Sequence, residues 1–298
     1  MALGKEFLFL LKRINYVNHK ISNKINKFIQ NIEYSYSTVT LSKDESALIK
    51  KNAVFQNCHK GQRCFILATG PSIKTQDLKP LKGEICIAAS NFYLHPDYSY
   101  IKPRYYCMAA YHPPITEDAY QNLMGELDKN TKDEKIFFSL SDRVRYKKDG
   151  CFTNKEVHFL NFGGSLGSII DRGIDLTRAV PGPSSVSIMA LEIAMYMGFS
   201  EIYLLGCDHD WILHMYESRH FYNEEQSVWH KHQIDEWKYD SFLIQARQNV
   251  CLWEQYEQIK SIAEKQHTQI FNATNGGLLD VFPKKRFETL FNCEYYPS

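Results

Sequence analysis

From Gly61 onward the chain repeats one pattern: a short, almost continuously apolar run, a polar cluster, then a stretch with helical spacing. The runs fall at Cys64–Ala68, Ile85–Ala89, Tyr105–Ala109, Lys135–Ser139, Val157–Phe162, Glu201–Gly206 and Gln269–Phe271. Helices are expected at Ile73–Leu78, Glu117–Leu127, Ser184–Met197 and Ser241–Lys265. A strand that is apolar at successive positions has to be covered on both faces. Strands of that type alternating with helices specify an α/β fold, a mostly parallel sheet flanked by helices. A chain of 298 residues can bury such a core. Gly163–Arg178 is glycine-rich and unpatterned, and is expected as a mobile loop near the site.

The N-terminal part has a different period. Leu3, Phe7, Leu10, Ile14, Val17, Ile21, Ile25 and Phe28 recur at steps of three and four, with Lys5, Lys12, Arg13, Lys20, Lys24 and Lys27 on the other faces. This is a basic amphipathic helix, suited to an anionic membrane surface, to a partner helix including a second copy of the chain, or to packing on its own domain. Tyr34-Ser-Tyr-Ser-Thr38 reads as a linker, and Ser42-Lys-Asp-Glu45 as a capping box opening a short helix. The expected organisation is an N-terminal helical extension and linker over residues 1–57 and an α/β catalytic domain over 58–298.

Net charge is +1, which excludes a strong global field for nucleic acid. The eight cysteines are scattered without a Cys-x-x-Cys pair, so free thiols in a reducing compartment are expected, with no zinc site. No apolar run reaches the ~20 residues of a membrane-spanning helix, and the N-terminus lacks a signal-peptide layout. The expected location is cytoplasmic, with peripheral contact on the inner face of the cytoplasmic membrane through the basic helix.

Ligands of open α/β sheets bind beyond the carboxyl ends of the strands, and polar residues collect at four such ends. Thr69-Gly70-Pro71-Ser72 follows the first run; Gly70 permits close approach, Pro71 is preset for a first helical position, and Ser72 with the free N–H groups suits a phosphate. Ser90-Asn91 follows the second and suits a base, ribose or sugar. Tyr111-His112-Pro113 follows the third, and Gly206-Cys207-Asp208-His209-Asp210-Trp211 follows Glu201–Leu205. Gly182-Pro183-Ser184 repeats the tripeptide at the head of a mostly apolar helix, where Ser184 and Ser185 form a second phosphate-type opening or an ordinary N-cap. Asp208 and Asp210 form an Asp-x-Asp pair, the type that holds a divalent ion on a donor diphosphate. Downstream lie His214, Tyr216, Arg219, His220, Tyr222, His230 and His232. A histidine is suited to deprotonate an acceptor hydroxyl, and tyrosine hydroxyls or Arg219 to hold a leaving phosphate. Asn272-Ala-Thr-Asn-Gly-Gly277 reads as a loop in which Asn272 or Thr274 could touch a nucleotide.

These residues resemble a known group. The first strand with Gly70-Pro-Ser-Ile73, Ser90-Asn-Phe-Tyr93, Tyr111-His-Pro113 and the block Ser184–Asp208 look like the bacterial sialyltransferases of glycosyltransferase family 42. They also look like the related 6-hydroxymethylpterin pyrophosphokinase-like domain of surface-glycan loci, which the ending Asn272–Leu279 and Phe282–Glu288 resembles more. The resemblance covers about Gly61 to Phe291. It implies a Rossmann-like, GT-A-variant-like fold and a CMP-activated acidic sugar as donor. The acceptor would be a hydroxyl of a surface glycan or lipid-linked glycan, as in lipooligosaccharide or capsule biosynthesis. It also implies donor contacts from the first turn, Asn91, Ser184 and Ser185, a His base among His220, His230 and His232, tyrosines on the phosphate, and no required cofactor. This chain departs from the family in carrying His209 and Asp210 where an aromatic pair follows the Gly-x-Asp, and in lacking an Arg before the Ser pair, Arg178 being nearest. That keeps a metal on Asp208 and Asp210 as an alternative, in a transferase using another nucleotide-sugar or in a Mg-dependent pyrophosphokinase acting on a pterin-like substrate. A nucleotide-binding scaffold without activity is the third alternative.

Overall fold

Successive residues of an extended strand point to opposite faces. In β1 (Arg63–Leu67) this sends Cys64 and Ile66 into one hydrophobic layer and Phe65 and Leu67 into the other, all four fully buried. The same two-sided burial holds for β2 (Cys86–Ala89) and β3 (Tyr105–Cys107). It extends through most of β4 (Lys135–Ser139), β5 (Val157–Phe162) and β7 (Glu201–Leu205). The computed structural model describes residues 40–112, 115–146, 150–164, 166–214, 219–222 and 241–291. Within them, and with β6 (Ala179–Val180) and β8 (Gln269–Asn272), the strands form one sheet of eight in the order β6-β5-β4-β3-β2-β1-β7-β8. Every neighbouring pair is parallel. The fold is thus the α/β, Rossmann-like architecture expected, and all carboxyl ends lie along one edge.

One face is covered by the short α2 (Tyr98–Ile101), through Tyr98 and Ile101, and by α3 (Glu117–Asn130), through Ala119, Tyr120, Leu123, Met124 and Leu127. The other is covered by α5 (Val186–Tyr196), buried at every position from Ser187 to Tyr196, and by α6 (Phe242–Lys265) outside it. The capping box opens α1 (Lys43–Lys50): Ser42 N–H donates to Glu45 Oε2 at 3.0 Å and Glu45 N–H to Ser42 Oγ at 3.2 Å. The segment after it, grouped in the sequence with the N-terminal extension, packs into the α/β core. Phe55 is buried there, and Asn52 Nδ2 donates to the carbonyls of Phe159 (2.7 Å) and Leu176 (2.9 Å). Residues 1–39 lie outside the described residues, and with them the amphipathic helix and the linker. Among the described residues no helix is long and apolar enough to cross a membrane.

Three local expectations are corrected. Ile73–Leu78 is no α-helix; Pro71–Thr75 forms a five-residue 3-10 turn that ends on extended Gln76. Gly163–Arg178 is not a loose loop, since it holds a short turn, α4 (Leu166–Ile169), and buries Leu166, Ile169, Ile174 and Leu176. The helix expected from Ser184 begins at Val186, with Ser185 as its N-cap. The strand order reverses between β1 and β7, where the chain returns from the β6 edge to the middle of the sheet. At such a switch point the connections leave in opposite directions and open a crevice above the strand ends.

Candidate active site

The crevice is built from the exits of β1 and β7. Ala68 N–H donates to Leu205 O (2.9 Å) and Gly70 N–H to Gly206 O (2.8 Å), so the two segments stay zipped past the last residues of the strands. Gly70 has ordinary extended backbone, φ −61°. Its lack of a side chain matters for space, since a Cβ there would lie 1.8 Å from Asp208 Oδ2 and 2.5 Å from Gly206 O. The Asp208 carboxylate fills this gap: Ser72 N–H donates to Oδ1 (3.1 Å) and Ser72 Oγ to Oδ2 (2.9 Å). The Ser72 donors of the first Gly-Pro-Ser turn, expected to face a phosphate, are thus taken by the chain's own Asp208 carboxylate. Burial pushes the Asp208 pKa up, against the pull of the Ser72 donors.

The same stretch reaches the second turn. His209, at φ +50°, sends Nε2 to within 2.6 Å of the Tyr256 hydroxyl on α6. That hydroxyl is 2.6 Å from Ser187 Oγ, which is 2.8 Å from Ser185 Oγ, the N-cap of α5. A line of buried and half-buried polar groups thus runs from Asp208-His209 to the opening of α5. Burial holds the His209 pKa down at about 4, so the ring is neutral near pH 7. Ser184 lies just outside the helix; its N–H donates to Gln255 Oε1 (2.8 Å), and Gln255 Nε2 donates to Gly182 O (3.0 Å). The two openings, 112 residues apart in the sequence (184 − 72), stand on the same sheet edge and are tied through the exit of β7.

Thr69 brings in a third segment. Its Oγ1 lies 3.0 Å from His220 Nδ1, its carbonyl accepts from Phe221 N–H (2.9 Å), and His220 stacks on Tyr222 with centroids 5.0 Å apart. Arg219, half-buried, adjoins this pair in sequence. Asp210 lies on the crevice side of β7, with His214 Nε2 3.9 Å from its carboxylate. Ser90, at φ +52°, and the buried Asn91 follow β2, where the Tyr106 hydroxyl donates to Ser90 O. His112 is exposed beyond β3, two strands from β1. Tyr216, His230 and His232 lie outside the described residues.

Each Asp208 carboxylate oxygen already accepts one hydrogen bond from Ser72, so a cation shared with Asp210 would have to use their remaining lone pairs. Among the described residues, no group of three or more His, Cys, Asp or Glu side chains is placed to hold a metal ion. The Asn272–Gly277 segment braces the crevice. Thr274 Oγ1 accepts from Cys207 N–H (3.1 Å), Leu278 N–H donates to Asp208 O (2.8 Å), and Asn275 Nδ2 donates to Thr75 Oγ1 (2.9 Å).

Sequence reasoning named His209 without giving it a role, and missed Tyr256, Gln255 and Asp142. Buried Asp142, past the end of β4, accepts from Tyr111 N–H (3.1 Å) and Tyr120 Oη (3.0 Å) and pairs with Arg145, fixing the segment that carries His112. Tyr256 could have been found on the buried stripe of α6, in step with Leu252 and Ile259.

No family model matches the chain, and no curated protein matches it. Among solved structures it is similar to the sialyltransferase CstII from Campylobacter jejuni in complex with CMP-3FNeuAc. That likeness has 14% identity and a TM-score of 0.42, over 75% of this chain and 85% of the other. The same enzyme with cytidine-5'-monophosphate gives 14% identity and a TM-score of 0.44, over 76% and 85%. The sialyltransferase Cst-II with trisaccharide acceptor and CMP gives 13% and 0.41, over 75% and 85%.

Proposed function

We propose that this chain is a glycosyltransferase that moves an acidic, sialic acid-like sugar from a CMP-linked donor to a hydroxyl group of a glycan. The observation that carries this reading is the joining of both Gly-Pro-Ser openings and the Thr69–His220 pair at the β1/β7 switch point. Of these, the Gly70–Ile73 turn and the block Ser184–Asp208 are positions on which the sequence resembles the family 42 transferases. With the first opening taken by Asp208, the donor phosphate falls to the Ser185 end of α5, where first-turn N–H groups and the helix dipole favour negative charge.

His220 is the base in this scheme. Thr69 and Tyr222 fix its ring. Base action requires the tautomer in which Nδ1–H donates to the Thr69 hydroxyl and Nε2 keeps its lone pair. The acceptor oxygen bonds to the anomeric carbon while its proton passes to Nε2. The bond from that carbon to the phosphate oxygen breaks, and its electron pair leaves with CMP. Arg219 and Tyr222, beside His220, are suited to steady the departing phosphate.

The test is a thermal-unfolding panel of CMP, UDP, GDP and ATP, each with Mn²⁺ or with EDTA. Stabilisation by CMP in EDTA is expected. Stabilisation by ATP only with metal, or by no nucleotide, would overturn the proposal.

A further inference from the structure

Helix α6 links the parallel strands β7 and β8, so it runs against them and its first residues stand on the carboxyl side of the sheet. Its inner stripe is Gln245, Asn249, Leu252, Tyr256, Ile259 and Ala263, at steps of three and four. Two contacts set its height. Tyr256 meets His209 and Ser187, and Cys251 Sγ lies 3.5 Å from Ser184 Oγ. Residues before Cys251 therefore rise past the second Gly-Pro-Ser turn. At about 1.5 Å per residue, Gln245 stands about 9 Å above Cys251 along the helix axis.

Below that level the stripe is apolar apart from the Tyr256 hydroxyl; above it the stripe turns to amides. Gln245 is 1% exposed, yet among the described residues neither its Oε1 nor its Nε2 has a hydrogen-bond partner. Asn249 Oδ1 is also buried and, among the described residues, unpaired, while its Nδ2 donates to Gln245 O at 3.0 Å. A buried amide with both ends unsatisfied is destabilising, and a leucine of similar size would remove the penalty.

We propose that Gln245 and Asn249 form a sugar subsite beside the Ser184–Ser185 turn, receiving hydroxyl groups of a bound sugar. This rests on the glycosyltransferase reading. The unpaired set is two acceptor oxygens and one NH₂ donor. A phosphate has no hydrogens for the oxygens, whereas sugar hydroxyls both donate and accept. The sugar could come from donor or acceptor, and the experiment separates the two.

Wild type, Gln245→Leu and Asn249→Ala are titrated with CMP, CMP-3FNeuAc and sialyllactose, the last with and without CMP, after circular dichroism confirms folding. Gln245→Leu is expected to melt no lower than wild type. CMP affinity should change less than about twofold, while affinity for one sugar ligand falls about tenfold or more. Loss on CMP-3FNeuAc assigns the subsite to the donor sugar, and loss on sialyllactose to the acceptor. Unchanged affinity for both sugars, or an equal loss for CMP itself, overturns the subsite. Wild-type protein that binds neither cytidine ligand overturns the donor reading instead, and the subsite then stands or falls on sialyllactose without nucleotide. Should Gln245→Leu fail to fold, Asn249→Ala carries the same comparison.

Discussion

A methyl group at Gly70 would overlap the Asp208 carboxylate and approach the Gly206 carbonyl, and both are held by hydrogen bonds to the Gly70–Ser72 turn itself. Gly70→Ala is expected to destabilise the protein by about 2 kcal/mol, within the range of overpacking. Gly125 is the control, lying within α3 with nothing within 4 Å of a built Cβ. Gly125→Ala should stabilise by about 1 kcal/mol through helix propensity alone. Urea unfolding of both variants checks the pair; equal effects would mean that the close approach at Gly70 is not what matters. At the same scale, His220→Gln should lower kcat by about 10²- to 10⁴-fold if the imidazole is the base. CMP affinity should hold within about twofold. Single-turnover kinetics with a CMP-sugar separates this from a binding defect.

At the scale of elements, the union of α5, α6 and the β7 exit depends on the Tyr256 hydroxyl, which touches both Ser187 and His209. Tyr256→Phe keeps the ring in its apolar setting, takes the Tyr256 partner from His209 Nε2 and leaves Ser187 only its contact with Ser185. A loss of about 1–3 kcal/mol is expected by chemical denaturation, with the opening of α5 disturbed as well. CMP affinity unchanged in that variant would detach the line of hydroxyls from ligand binding. The elements themselves were largely legible in the sequence. Near-continuous apolar runs announced buried parallel strands, and the Ser42–Glu45 spacing announced a helix start that the hydrogen bonds bear out. β6 escaped because two residues carry no periodicity. The occupant of the first cradle escaped for another reason. Ser72 and Asp208 are 136 residues apart, and only the pairing of β1 with β7 brings them together. Gln245 and Asn249 looked like ordinary helix residues because their significance lies in the height at which α6 crosses the sheet edge.

On the scale of the whole molecule, the pH dependence of stability should carry the mark of Glu192. It sits in α5, 0% exposed, and among the described residues neither carboxylate oxygen has a hydrogen-bond partner. Burial raises its pKa well above the ordinary 4.5. Below the unfolded-state pKa both states are protonated and Glu192 adds no pH dependence. Above it the unfolded chain releases the proton while the folded protein keeps it, so stability falls as pH rises until the folded pKa is passed. His209 acts with the opposite sign. Its folded pKa of about 4 lies below the ordinary 6.5, so protonation of the unfolded chain erodes stability as pH falls between those values. Glu192→Gln keeps the shape and removes only the first effect. The stability of this variant relative to wild type should therefore grow as pH rises above the ordinary carboxylate range, at up to about 1.4 kcal/mol per pH unit, until the buried carboxyl ionises. Denaturant melts at four pH values measure the gap directly. A gap that stays constant would mean that Glu192 is ionised and paired in solution, and that the core around α5 is wetter than its packing describes.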